Sequence, residues 1–137
     1  MASSAAVTNA YKEAILNGVH QPGDTYMVAL YVAAATLGVG TTVYTSSGEV
    51  SGTGYLAGGI ALSGFTVGLS TNTAYLTFSN ASWAGSTLAN VVTALIYNAS
   101  RSNAAVAVLT FSSTSTTAGT FTLQFPAAGA SSTVTLT

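Results

Sequence analysis

The stretch Gly119-Thr-Phe-Thr-Leu-Gln-Phe125 sets the fold class of this chain. Phe121, Leu123 and Phe125 take every second position, and Thr120, Thr122 and Gln124 fill the gaps. A period of two belongs to a strand that buries one face and wets the other; a helix would need three- and four-residue spacing. Val134 and Leu136 repeat the alternation in residues 133–137. Upstream, residues 91–98 and 104–111 are β-branched and aromatic runs joined by Ala99-Ser-Arg-Ser-Asn103, which reads as a hairpin. The low-complexity residues 112–118 fit a second hairpin loop. Residues 82–85, which include Trp83, read as a corner.

Working further outward, residues 73–79 set Leu76 and Phe78 against Tyr75 and Thr77, and residues 60–69 carry Phe65, Val67 and Leu69 on one side. Residues 41–45 form a shorter β candidate. In the run from Thr25, Tyr26, Val28 and Leu30 alternate with Met27, Ala29 and Tyr31, and both sets are apolar. That pattern predicts a strand covered on both faces. The sum is seven or eight short antiparallel strands with turn signals between them, an all-β sandwich or flattened barrel. One segment breaks the period. Val7, Tyr11, Ala14, Ile15 and Val19 recur at helical spacing, so residues 7–18 read as a short N-terminal helix. Thr8 or Asn9 caps its start, and Asn17-Gly18 ends it. Gln21-Pro-Gly-Asp24 follows as a turn.

Length and composition narrow the function classes. At 137 residues the chain reads as one domain, residues 1–137. Only 4% of the residues are charged, where about a quarter is usual, and 49% are hydrophobic. A formal net charge of −1 gives no electrostatic footprint for nucleic acid or for an anionic membrane. The longest apolar run, between Met27 and Val39, is interrupted by Thr36 and Gly38 and falls short of the roughly 20 residues a spanning helix needs. The first residues lack the basic and apolar segments of a secretory signal. There is no cysteine, hence no disulfide or thiolate metal site. With so little charge to hold copies apart, the chain is expected to work as a homo-oligomer or packed in an assembly.

Few side chains are equipped for chemistry. Beyond Val50, Arg101 is the one charged residue. His20 with Asp24 or Glu49 would be the material of a hydrolytic relay or a weak metal site, yet general acid–base work needs a positioned titratable pair, and a lone His is poor evidence of a ligand set. The chain is therefore expected to be non-enzymatic, with no cofactor and no metal. Gly52-Thr-Gly54-Tyr-Leu-Ala57 satisfies the dinucleotide fingerprint in letters only, because no acidic residue follows Glu49 and residues 60–69 read as strand. Trp83 and the seven tyrosines read either as a sugar platform or as core and interface filling. Arg101, at a hairpin tip, either meets a partner's carboxylate or is solvated. Asn80-Ala-Ser82 and Asn98-Ala-Ser100 match the glycosylation sequon, as a Ser-rich chain does by chance.

The densest signal is Glu49-Val-Ser-Gly-Thr-Gly-Tyr-Leu-Ala-Gly-Gly59, with Gly52, Gly54, Gly58 and Gly59 in one connector. Glycine at this density lets the backbone reach φ > 0 or touch a neighbour, and Tyr55 is a bulky group able to cover such bare backbone. Glu49 reads either as an inter-subunit or ligand contact, or as a salt bridge or backbone cap beside a glycine turn. This segment resembles one in small virion structural proteins of tailed bacteriophages, which carry Glu-Val…Gly-x-Gly-Tyr-x-Ala-Gly-Gly after a short helix and a strand similar to Tyr26-Met-Val-Ala-Leu-Tyr31. Trp83, the Ile96-Tyr-Asn98 strand and the Gly119-Thr-Phe-Thr122 strand extend the likeness over residues 7–125. The resemblance implies a structural part in a virion, as a capsid decoration or cement protein bound to the major capsid protein or to neighbouring copies, with a tail or fibre component touching a host glycan as the alternative. Glu49, Gly52, Gly54, Tyr55, Gly58, Gly59, Trp83 and Arg101 are the residues expected to build the fold's special geometry or its interface.

Overall fold

A computed structural model describes residues 3–33, 35–126, 129, 132 and 134–136. The order is β1 (Ser3–Val7), α1 (Asn9–Leu16), β2 (Tyr26–Val32), β3 (Ile60–Ala61), β4 (Thr66–Ser70), β5 (Thr73–Thr77), β6 (Ala81–Asn98), β7 (Ala104–Leu123) and β8 (Val134–Leu136). The fold is all-β, with 51% of residues in strands, as the period-two runs predict. Five strands form one antiparallel sheet in the order β1-β7-β6-β2-β3, and three form a second in the order β4-β5-β8. The main core joins both sheets: Leu76, Phe78 and Val134 pack with Tyr26, Val28, Leu30, Ile96, Val106, Leu109, Phe121 and Leu123.

Strand β2 is covered on both faces, as its doubly apolar pattern predicts. Val28, Ala29, Leu30 and Tyr31 are wholly buried. Val28 and Leu30 face the main core, while Ala29 and Tyr31 face a second cluster with Leu95, Tyr97, Ala105 and Val108. The residues that close this second cluster, Leu37 and Tyr44, come from the long connection between β2 and β3. Full burial of side chains such as Val28 and Leu30 contributes about 1.5–3 kcal/mol each, so β2 and its neighbours are the fixed frame on which the rest is hung.

Several boundaries differ from the sequence reading. The helix spans Asn9–Leu16 and not 7–18, because Val7 pairs with Ala107 as the last residue of β1. Thr8 is the N-cap: its hydroxyl accepts from the Tyr11 N–H at 3.2 Å. Residues 41–45 form only a bridge, Val43 to Ala104, and no strand. Residues 60–69 are broken at Gly64, where φ is +69°, and the halves belong to different sheets. Neither the corner at 82–85 nor the loop at 112–118 exists; both lie inside the long strands β6 and β7. The β6–β7 ladder instead shifts register repeatedly, between Trp83 and Ser86 and again before Val91. Gly85, Asn90 and Ala118, at φ +60°, +57° and +46°, occupy these irregularities. Extra residues of this kind kink a ladder without ending it. Phe121 and Leu123 are buried as expected, and the run at 133–137 is seen as β8, with Thr133 and Thr137 outside the described residues.

Candidate functional site

The outer edge of β2 is covered in two pieces. Upstream of the glycine-rich connector, the Val32 N–H donates to Gly48 O at 3.0 Å and the Val50 N–H to Leu30 O at 2.9 Å. Downstream of it, β3 pairs Ile60 with Val28 and Ala61 with Met27. Between the two pieces the chain loops away, and the Leu30 N–H is left without a strand partner. The Tyr55 hydroxyl fills the gap, accepting from Leu30 N–H at 3.0 Å and donating to Glu49 Oε1 at 2.6 Å. A buried N–H left open would cost about 1–3 kcal/mol, so Tyr55 is the group that closes the sheet edge.

Glu49 is the hub of this seal. Its Oε1 also accepts from the Gly58 N–H at 2.7 Å, and its Oε2 accepts from the Tyr44 hydroxyl at 2.6 Å. The Tyr97 hydroxyl donates to Gly58 O at 2.6 Å, and its ring stacks on Tyr44 with centroids 4.8 Å apart. Burial, and then the Glu49 carboxylate, push the Tyr44 hydroxyl up to about 12 and raise Tyr55 further still. All these phenols stay protonated and donate at any ordinary pH. The glycines permit the close packing. At Gly59 (φ +81°) a Cβ would run into Val28 O, and at Gly54 (φ +81°) it would sit 2.9 Å from Ser86 Cα. Gly52 lies against the Thr87 carbonyl, and Gly58 against the Tyr97 hydroxyl. Of the two sequence readings of Glu49, the structure supports the local cap. The connector makes no strand-to-helix turn, so the letters of the dinucleotide fingerprint lack their context.

A second polar cluster surrounds Asn98, which is fully buried at the end of β6. Its Nδ2 donates to Asp24 Oδ2 at 2.8 Å and meets His20 Nδ1 at 2.9 Å, while its Oδ1 accepts from the Ser100 N–H at 3.0 Å. Arg101 grips Asp24 with two contacts, Nε to Oδ2 at 2.8 Å and Nη2 to Oδ1 at 3.0 Å. The bonds from Arg101 and then Asn98 hold the Asp24 carboxyl far below the usual carboxylate range. Burial lowers the His20 pKa, with Asp24 opposing and Arg101 assisting. Arg101 is thus turned onto its own chain. His20 and Asp24 do come together, but with Asn98 between them and with Asp24 saturated.

Trp83 is 3% exposed, packed edge-on against Phe121 and beside Tyr55, so it forms no surface platform for a sugar. Its indole N–H has no hydrogen-bond partner among the described residues. Sequence reasoning missed Tyr44, Tyr97 and Asn98, whose roles depend on pairings across 5 to 78 residues. The buried position of Asn98 also leaves its sequon inaccessible in this fold. Among the described residues no group of three or more His, Cys, Asp or Glu is placed to hold a metal, and no helix is long and apolar enough to cross a membrane. Compared with known proteins, the chain matches no family model, no curated protein and no solved structure.

Proposed function

We propose that this chain is a non-enzymatic structural protein of a tailed-phage virion, a capsid decoration or cement protein that binds the major capsid protein or neighbouring copies. The observation that carries the reading is the fate of its charges. Of five charged residues, Asp24 and Arg101 bind each other and Glu49 is enclosed by its own connector. Lys12 and Glu13, adjacent on α1, are left facing water. Among the described residues the rest of the exposed surface is neutral, with hydroxyls, amides, glycine and aliphatic groups. Leu16, Leu56, Val67 and Leu69 are all more than half exposed on it.

Open strand edges accompany this neutral surface. β4 is an edge strand bearing the exposed Val67 and Leu69, and from residue 112 to 123 no strand pairs with the outer side of β7 among the described residues. Soluble proteins usually protect such edges with lysine or proline; neither residue type occurs in β4 or in this part of β7. Apolar burial and main-chain pairing are then the forces available for contact. An interface of about 1,600 Å² suffices for specific binding, and repetition over a symmetric lattice adds avidity. The phage assignment rests on the resemblance of the connector. The two polar clusters support a non-catalytic reading, since their carboxylates are saturated by partners of the same chain. Electron cryomicroscopy of the source particle tests the proposal. The expected result is this fold at lattice-repeated positions on the head; density confined to the tail, or none, contradicts it.

A further inference from the structure

His20 sits between two differently anchored parts of the chain. At its N-terminal end α1 is fixed to the large sheet: the Thr8 N–H donates to Val106 O at 3.0 Å, its hydroxyl reaches Ala105 O and Val106 O, and the Asn9 N–H donates to Val39 O at 2.8 Å. At the C-terminal end the backbone bonds of Asn17, Gly18 and Val19 all return to α1 itself. Residues 21–24 have their own ties, through the Asp24 carboxylate to Gln21 N–H and the Tyr26 hydroxyl to Gln21 O. The His20–Asn98 bond ties the helix end directly to β6, beside a longer route in which Gln21 Nε2 donates to Gly18 O at 2.6 Å and Asp24 Oδ2 accepts from both the Gln21 N–H and Asn98 Nδ2. Beneath that end lies a cavity of about 230 Å³, lined by Tyr11, Ile15, His20, Tyr26, Phe65 and Leu76 among others.

The direction of the His20–Asn98 bond follows from its surroundings. Asn98 Oδ1 is occupied by the Ser100 N–H, and one Nδ2 hydrogen is drawn to the Asp24 carboxylate. The second Nδ2 hydrogen therefore points at His20 Nδ1, which must accept it with a bare lone pair. Neutral His20 thus carries its proton on Nε2, which is buried without a hydrogen-bond partner among the described residues. An imidazolium would set Nδ1–H against Asn98 N–H, two donors face to face.

The geometry points to a proton-operated latch: neutral His20 holds the C-terminal end of α1 over the apolar cavity, and protonation of Nδ1 releases that end while the Thr8 end stays anchored. The other groups facing the imidazole do not rescue the charged form. Tyr11 and Tyr26 present rings, at 4.7 and 6.4 Å between centroids. Asp24 favours the charged form, but its carboxylate is held in the two-point grip of Arg101, whose own charge opposes a second cation nearby, and burial outweighs it. Burial lowers the folded-state pKa, so the unfolded or released chain binds the proton more tightly than the latched one. The latch is accordingly secure above the ordinary histidine value of about 6.5 and loosens as pH falls below it.

Amide hydrogen exchange tests this, compared at about pH 7.5 and about pH 5 and corrected for intrinsic chemistry. Protection of residues 13–20 is expected to fall by about tenfold on acidification while residues 93–97 of β6 keep theirs. His20→Gln retains an acceptor for Asn98 but does not titrate, and its helix end should show no such drop. A wild-type chain with no selective loss, or a His20→Gln chain with the same loss, overturns the proposal. A second measurement needs no variant: imidazole nitrogen NMR of the wild type should show the Nε2–H tautomer at neutral pH and a titration midpoint that coincides with the exchange change. The Nδ1–H tautomer, or two separate midpoints, overturns it as well.

Discussion

At the scale of single residues, the account rests on a carboxylate whose three donors come from three places in the chain. Glu49→Ala would leave the Tyr44 and Tyr55 hydroxyls and the Gly58 N–H without their acceptor. A loss of about 2 kcal/mol or more is expected in chemical denaturation, since bonds to charged groups contribute about 1.5–3 kcal/mol each. Gly59→Val and Gly54→Val should each cost more than about 1 kcal/mol, because a β-branched residue is strained at φ > 0 and backbone blocks its Cβ; wild-type melting temperatures would contradict the edge-seal account. Asp24 sets a pH window separate from that of His20. Its carboxyl is held low by Arg101 and Asn98, so its contribution is present above the ordinary value of about 3.9 and lost as pH falls below it. Asp24→Asn should flatten the stability profile in that acid range, as read by denaturation at a series of pH values. Part of this was legible in the sequence. A carboxylate beside clustered glycines suggests a local cap, and a tyrosine among them suggests a cover for bare backbone. Tyr44, Tyr97 and Asn98 were not legible, because nothing near them in sequence announces the partner that strand pairing brings.

At the scale of elements, the long β6–β7 pair explains why strand type was readable and strand length was not. Gly85, Asn90 and the Ser/Thr-rich run before Gly119 are signals of a chain break. Here they mark register shifts, and the ladder continues on both sides. Ala118 pays strain for this at φ +46°, so Ala118→Gly should raise stability by about 0.5–1 kcal/mol, whereas a turn position free of φ > 0 would lose stability on the same change. Strand β1, Ser-Ser-Ala-Ala-Val, gave no alternation to read; its pairing with β7 comes from tertiary context. Helix α1 was visible through Tyr11 and Ile15, with Thr8 as its cap, worth about 1 kcal/mol. Ile15 lines the cavity under the helix, so Ile15→Asp places a carboxylate on an apolar wall at a cost of several kcal/mol. A variant that stays fully folded in thermal denaturation would mean that this face does not hold the helix.

At the scale of the whole molecule, composition gave the most direct sequence clue to function. Charge is scarce in the sequence, and the fold uses most of what there is internally, through the Asp24–Arg101 pair and the Glu49 seal. What no sequence pattern revealed is which neutral surface is available for contact, since the exposure of Val67 and Leu69, and the lack of a partner strand for the outer side of residues 112–123 of β7 among the described residues, follow only from the order of the sheets. The proposed contact is made by apolar burial and backbone pairing, which salt screening hardly touches. Cosedimentation of the purified chain with undecorated tailed-phage capsids, at low salt and at about 0.5 M, where the Debye length is only a few Å, is the most direct measurement. The chain is predicted to pellet with the capsids in stoichiometric numbers at both salt concentrations. A chain that stays in the supernatant at both, or that is released by salt, would contradict the account.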